Sequence, residues 1–514
     1  MTTAANLVLR NGRVHPLTGG QSVEAVAVRD GEISHVGAGD AIESGAETTV
    51  IDLDGRTVLP GFVDAHTHME VIGQYELEAD LTDADAPEAC LDRLGTLRDD
   101  RAETDEEWIL GFGYDESAWG GDYLDREQLD EVSTDRPVVA YREDMHLASV
   151  NSVVLDRYGS EFPDDDVRTA GGDPTGVVVE DAVNVLREAT RADPERMREY
   201  LLAAQAYANR HGVTAVHDMV RRSHGPRIYR ELDAADELTI RVRINYWRDH
   251  LDAVLETGLR SNHGSDRVRT GGIKTFTDGS IGGRTARLSE PYADAGTGDS
   301  SPDERGDWVV DPERLDRLVE RVDEAGLQMT AHAIGDEAIA ATLDAYEGTD
   351  GQRHRIEHAE VLTDALIERL AAADVVVSVQ PNFLKWARED GLYTRRLGDD
   401  RRLASNRFGD LQAAGATLAF GSDCMPLDPL FGIEQVVDAP SPAQQLSVTE
   451  ALRAYTVGGA YAGFDEDRLG TIEVGKRADL VVLDESPWAT DDIADIGVEL
   501  TVVDGEIVYD GRET

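Results

Sequence analysis

At 514 residues the chain is too long for one small domain and ordinary in length for a barrel enzyme with an accessory domain. Hydrophobic residues make up 41% of it, which excludes general disorder, and 102 Asp and Glu against 49 Lys and Arg give a formal net charge of -53. That balance excludes a nucleic-acid binder with a basic stripe and a protein that docks on anionic membrane. Among the cations only Lys274, Lys385 and Lys476 are lysine. Acid excess with so little lysine reads as a surface kept hydrated in concentrated salt, a halophilic signature. Cys90 and Cys424 cannot make a disulfide framework, and nothing resembles a thiol metal site. The first residues lack a charged start and an apolar stretch of the secretory kind, and no apolar run approaches the ~18 residues that span a bilayer. The expectation is a soluble, cytoplasmic protein.

In chain order, residues 5–58 give short alternating runs (NLVLRNGRV, AVAVRDGEISHVG, TTVIDLDG) with hairpin punctuation, and residues 469–510 do the same. Neither end has enough strands to bury a face alone, so residues 1–58 and 464–514 are expected to share one small β-sandwich. Between them, apolar strands alternate with helical patterns, the rhythm of parallel βα units. Strands are expected at 57–65, 213–218, 240–247, 271–277, 328–334, 353–359, 375–381 and 417–423. Helix periodicity fills several gaps, as at 312–326, 362–374 and 447–461. The fold class is therefore α/β, a (β/α)8 TIM-like barrel covering 59–75 and 191–463. A doubly wound sheet would want a Gly-rich phosphate loop after its first strand; here His66-Thr67-His68 follows. Residues 76–190 break the rhythm, carry strand candidates at 108–114 and 137–143, and read as a domain inserted after the first barrel strand. The helix at 194–212 leads back.

His66 and His68 lie two apart at the end of that first strand, so both imidazoles can enter the barrel mouth together and grip one cation. His332 in TAHAIGD, His358 in RIEHAE and Asp423 in AFGSD stand at the ends of the fifth, sixth and eighth strands. Imidazole and carboxylate suit zinc and similar divalent ions. Lys274 sits inside the apolar strand GGIKTFT, where an ammonium facing a barrel interior beside cations would be costly. With its pKa depressed it can react with carbon dioxide to give a carbamate, which turns a cation into a bridging anion. The plainer reading pairs Lys274 with Asp278.

These residues resemble a known family. VDAHTH, KTFTDGSIGGRTA, AHAIGD, RIEHAE, GSDCMPLDPLFGIE and the closing GKRADLVVLD are similar to motifs of the amidohydrolase superfamily, and within it to the amidohydrolase-3 branch that contains N-substituted formamide deformylases. The resemblance spans nearly the whole chain, including RPVVAYREDMHLASVNS and PTGVVVEDA in the insertion. It implies a binuclear site in which His66, His68 and Asp423 hold one ion, His332 and His358 hold the other, and carboxylated Lys274 bridges them. Two departures stand out: Met145 before His146, where the branch has glycine, and Cys424 beside Asp423, where a bulkier residue is common. Cys424 reads as a small filler and not a nucleophile, because nothing positions a base for it.

The expected cofactors are two divalent ions, zinc by donor type, with carbon dioxide held as the lysine carbamate. Two such ions lower the pKa of a shared water towards ~7, so that hydroxide is available to attack while Asp423 moves the proton to the leaving nitrogen. Arg284, His146 and His217 are candidates for holding substrate. The expected activity is hydrolysis of a non-peptide C–N bond in an amide or N-substituted formamide. Its rivals are a one-metal deaminase on the same barrel and a catalytically silent scaffold of the dihydropyrimidinase-like kind. Expected partners are a small amide-type substrate and at most further copies of the chain, with no nucleic acid and no membrane.

Overall fold

A computed structural model describes residues 4–513, except 40, 41, 43, 103–106, 144, 296–303, 350 and 352. The chain forms two compact units, one from residues 1–69 with 205–514 and one from 70–204. No helix among the described residues is long and apolar enough to cross a membrane.

The first unit is built on eight parallel strands, here β1 (Phe62–Thr67), β2 (Val213–Val220), β3 (Arg241–Trp247), β4 (Val268–Phe276), β5 (Gln328–Ala333), β6 (Arg355–His358), β7 (Val376–Val379) and β8 (Thr417–Phe420). They are bonded in sequence order, β1 to β8, the arrangement of an α/β TIM-like barrel. The helices between them follow the sequence signals. Pro312–Glu324 opens with Asp311 accepting from the Arg314 N–H, has Pro312 in its first turn, and buries Leu315, Val319 and Val322 on one face.

The seam between the first and last strands is closed by a side chain as well as by backbone. The Ser422 N–H donates to both Asp64 carboxylate oxygens at 3.0 and 3.2 Å, and the Asp423 N–H donates to the His66 carbonyl at 2.7 Å. The approach is so close that a Cβ at Gly421 would lie 2.4 Å from the His66 nitrogen, so glycine is required there.

The expected first strand, 57–65, is two strands. Thr57–Pro60 pairs with Leu480–Leu483 in a five-stranded sheet, and the chain then turns at Gly61 into β1. A continuous apolar run hides such a change of sheet, because both halves are buried. The other terminal sheet has four strands, in the order Glu32–Gly37, Ala25–Arg29, Ala5–Arg10, Ser44–Asp52. Alternate residues of both sheets, among them Leu7, Leu9, Val26, Val28, Leu480, Val482, Leu500 and Val502, meet in one core. The period of two that marked these segments in the sequence is the period of that shared face.

The second unit has its own six-stranded sheet, in which Ile109–Tyr114 and Val138–Arg142 pair in parallel. Leu94, Ile109 and Val138 pack on one face of it, and Phe112, Val139 and Tyr141 on the other. This unit is wider at both ends than the insertion expected at 76–190.

Candidate metal centre

The C-terminal ends of β1, β4, β5, β6 and β8 bring five of the expected donors and Lys274 to one place. Asp423 Oδ1 lies 3.1 Å from His68 Nε2 and 3.7 Å from His66 Nε2. The His66 and His358 rings are 4.9 Å apart centre to centre, and those of His358 and His332 are 4.5 Å apart. One donor atom from each of His66, His358 and Asp423 falls within 4.8 Å of the others.

Two of these side chains arrive by strained backbone. Strand alternation puts Arg355 and Glu357 on one face of β6 and would send His358 to the other. His358 has φ +74°, however, and this left-handed turn brings its ring beside His66. Asp423 has φ +52° and follows the end of β8 in the seam just described. Strain of this kind, of order 1–3 kcal/mol each, persists only where the surroundings overdetermine it.

Each histidine has one ring nitrogen already engaged. His66 Nδ1 faces Glu357 Oε2 at 2.5 Å, His68 Nδ1 the Met219 carbonyl at 3.1 Å, His358 Nδ1 the Gln380 Oε1 at 2.7 Å, and His332 Nε2 the Gly279 carbonyl at 2.9 Å. All four partners are acceptors, so the engaged nitrogen carries the proton; in His66, His332 and His358 the other nitrogen then keeps its lone pair, whereas His68 Nε2 donates to Asp423 Oδ1 at 3.1 Å. The Nε2 atoms of His66 and His68 converge on Asp423. The His332 Nδ1 and the Lys274 Nζ are buried with no hydrogen-bond partner among the described residues. Buried polar atoms left open in this way are costly unless something binds them.

The electrostatics match a cation site. Burial, with the neighbouring Lys274 charge, holds His66 well below the ordinary histidine value; burial and the adjoining histidine do the same for His332 and His358. Neutral imidazole is the metal-binding form. Burial would raise the Asp423 carboxyl, but His66, the hydrogen bond from His68 and Lys274 outweigh it and hold the group low. Burial pushes the Lys274 ammonium down to about 8 against the pull of Glu357 and Asp423. Its pairing with Asp278 does not form: the Asp278 carboxylate accepts from the Ile334, Gly335 and Arg287 N–H groups at 2.8–3.0 Å. Burial would lower His68, but the Asp423 carboxylate holds it above the ordinary value. The donor set, three imidazoles held neutral, His68, one ionised carboxylate and an amine without a hydrogen bond, fits divalent cations of the zinc type.

Of the residues expected to hold substrate, His217 and Arg284 are engaged elsewhere in the first unit. Strand β2 runs on to Val220, so His217 lies inside it and not at its end; its Nδ1 accepts from Arg355 Nη1 at 2.7 Å. Arg284 is engaged by Asp294 in a two-pronged pair at 2.8 and 3.1 Å. His146 belongs to the second unit, where its exposed ring faces Glu180 at 3.3 Å. Met145 before it has φ +60°, a left-handed conformation that favours glycine. Cys424 is half-buried, and burial with the Asp423 charge beside it pushes its thiol well above the ordinary value, which removes it as a nucleophile.

Sequence reasoning missed Glu357, Gln380 and the wall residues Phe276 and Phe383. The Phe276 ring centre lies 4.1 Å from that of His332, and Phe383 stacks parallel to His358. Glu357 had a signal, since it is a carboxylate in the middle of an otherwise buried strand.

Residues 49–509 match the amidohydrolase family (Amidohydro_3). The chain is 32% identical to the putative amidohydrolase YtcJ of Bacillus subtilis (strain 168), over 96% of this chain and 97% of that one. It is 27% identical to an N-substituted formamide deformylase of Arthrobacter pascens, over 99% of both chains. Among solved structures, an uncharacterized metal-dependent hydrolase from Pyrococcus furiosus superposes with a TM-score of 0.79 at 29% identity, covering 94% of this chain and 99% of that one.

Proposed function

Given that the chain belongs to the amidohydrolase family, we propose that this metal-dependent hydrolase cleaves a carbon–nitrogen bond other than a peptide bond, in a small amide or N-substituted formamide. The observation that carries this reading is the convergence of four histidines, each with its second nitrogen already engaged, on Asp423 and the unpartnered Lys274. The formamide deformylase likeness, over almost the whole of both chains, supports the bond type.

His66, His68 and Asp423 would hold one divalent ion and His332 and His358 a second, with zinc favoured by the donors. Bound there, the ions supply Lewis acidity to the substrate carbonyl and acidify water. Lys274 would join the set as a carbamate: its neutral Nζ would add to the carbon of carbon dioxide and lose a proton, giving the set a second anionic donor. Asp423 turns Oδ1 towards His68 and His66. Its other oxygen takes the proton from the attacking water and passes it to the leaving nitrogen. The Asp278 carboxylate holds the Ile334 and Gly335 amides in place just beyond His332. The acid-rich, lysine-poor composition supports work in a salt-rich cytoplasm.

Metal analysis of protein purified without chelator, combined with a panel of amides, formamides and cyclic imides, tests the proposal. Two equivalents of metal with turnover of an acyclic amide are expected. The tight group His66, His358 and Asp423 would suit a single ion, and it favours a one-metal deaminase as the second reading. A ceiling of one equivalent, unmoved by zinc and bicarbonate, would decide for it.

A further inference from the structure

Beneath the metal centre lies a buried polar chain that no step above uses. Glu357 Oε2 meets His66 Nδ1 at 2.5 Å. The same carboxylate is clamped from below by Arg355, whose Nε donates to Oε1 at 2.8 Å and whose Nη2 donates to Oε2 at 3.0 Å. Arg355 is itself fixed on every side: Nη2 also donates to the Ala65 carbonyl at 2.5 Å and to Ser378 Oγ at 2.9 Å, and Nη1 donates to His217 Nδ1 at 2.7 Å. All of these side chains are buried.

The Arg355–Glu357 ion pair is a poor choice for stability alone. Apolar residues of similar volume would serve a barrel interior as well or better, because two charges lose their hydration there. What the pair does that apolar residues cannot is present one oxygen, in one orientation, to one nitrogen of a histidine. The clamp prevents Glu357 from swinging away, and the Ala65 carbonyl ties the same guanidinium to the backbone next to His66.

We propose that Glu357, oriented by Arg355, is a positioning residue that fixes His66 as the Nδ1–H tautomer and makes its Nε2 a stronger donor towards a divalent ion. The inference rests on the metal-centre reading above and adds to it the residues that set the strength of one ligand. A carboxylate on the far nitrogen orients the ring and raises its basicity, and removal of such a partner costs about ten- to a hundredfold in metal affinity. His217 then has its role as the far end of this chain, accepting from Arg355 Nη1 and completing the clamp.

The test begins with unaltered full-length protein, freed of metal and labelled with 15N-histidine, with the His66 signal assigned by its loss in His66→Asn. His66 should show a protonated Nδ1 and an unprotonated Nε2; the opposite tautomer overturns the proposal without any variant at the clamp. The second measurement is zinc affinity by competition with a chromophoric chelator. It compares the wild type with Glu357→Gln and with the charge-balanced Arg355→Met/Glu357→Gln, which avoids an uncompensated buried guanidinium. A folded double variant should bind zinc about ten- to a hundredfold more weakly and show mixed His66 tautomers. Zinc affinity within twofold of wild type, with the tautomer unchanged, overturns the proposal and leaves the metal centre standing. Wild-type protein that takes up no zinc overturns both.

Discussion

The two ends of the barrel both bury charge, and they treat it oppositely. At the N-terminal end, Arg241 at the start of β3 pairs with Asp479 at 2.7 and 3.0 Å, reaches Asp504 at 2.5 Å and gives its remaining nitrogen to the Asp266 carbonyl at 3.0 Å. Each of its three nitrogens has an acceptor, and no strained backbone is needed at Arg241 itself. At the C-terminal end, Lys274 Nζ and His332 Nδ1 are equally buried and have no hydrogen-bond partner among the described residues, while His358 and Asp423 stand at positive φ. Desolvation costs are of the same kind at both ends. Arg241 meets them with the protein's own side chains and is structural, whereas Lys274 and His332 are left open where the metal donors converge.

The largest effect that sharpens this contrast is on turnover. Asp423→Asn should lose at least ~10²-fold in rate, the lower scale for removing a general acid–base group, while keeping most of the metal. Lys274→Ala should lose metal and activity together, with partial rescue by short carboxylic acids that leaves Asp423→Asn unaffected. Both are read by single-turnover kinetics and metal analysis. If Lys274→Ala kept both metals and near-normal hydrolysis, the bridge would be withdrawn and the mouth would be less open than described.

Arg241→Met should do the reverse. Leaving Asp479 buried and unpaired costs about 3–5 kcal/mol, visible in denaturant unfolding, and metal content of the surviving folded fraction should not change. Loss of metal at equal stability would mean that the two ends are coupled.

Acidity separates two buried carboxylates, Asp64 in the seam and Asp479 beneath β3, by sign. Burial raises the Asp64 carboxyl to about 7 despite its hydrogen bonds from Ser422 and His66. A carboxyl with a raised folded-state value stabilises the fold less as pH climbs from its ordinary value, 3.8, towards 7. Asp479 is also pushed up by burial, but Arg241 outweighs this and holds it below 3.8, so its contribution is present above that pH and is lost as pH falls through the lowered value. Thermal midpoints of metal-free protein in molar KCl, where charges are screened beyond ~3 Å, should therefore fall between pH 4 and 7, and less so in Asp64→Asn. An identical slope in the variant would remove Asp64 from the account.

The smallest effect is general and belongs to neither end. Self-repulsion at a formal charge of -53 reaches ~8 Å at 0.15 M salt and ~3 Å at 1 M. Thermal midpoints should rise modestly across a KCl series. A flat profile would dispose of salt adaptation and leave the catalytic argument untouched.

Much of this was legible in residue order because strand ends are where a barrel keeps its chemistry. His66, His68, His332 and Asp423 each follow or close a largely apolar run, and Lys274 is conspicuous as a lone charge within one. What was illegible depends on facts that have no local signature. The run 57–65 is apolar throughout, so nothing in it marks the change of sheet at Gly61. His358 reaches the site through a left-handed backbone angle that alternation cannot foresee. Arg284 and His217 were plausible by position, but their partners, Asp294 and Arg355, were set by folding. Glu357 acts across the barrel on His66, 291 positions away, and such a partner is invisible from either segment alone.

The seam has a consequence for assembly in time. The contact between Asp64 and Ser422 joins residues 358 apart, and His66 and Asp423 meet through the same junction. During synthesis the first ligands emerge long before the last, and a partly built chain carries His66 and His68 without the acid that completes them. Closing so long a loop is an entropic cost that comes late. An ion gripping both sides of the junction would therefore act as a latch on the finished cylinder, and its uptake would time the moment of closure.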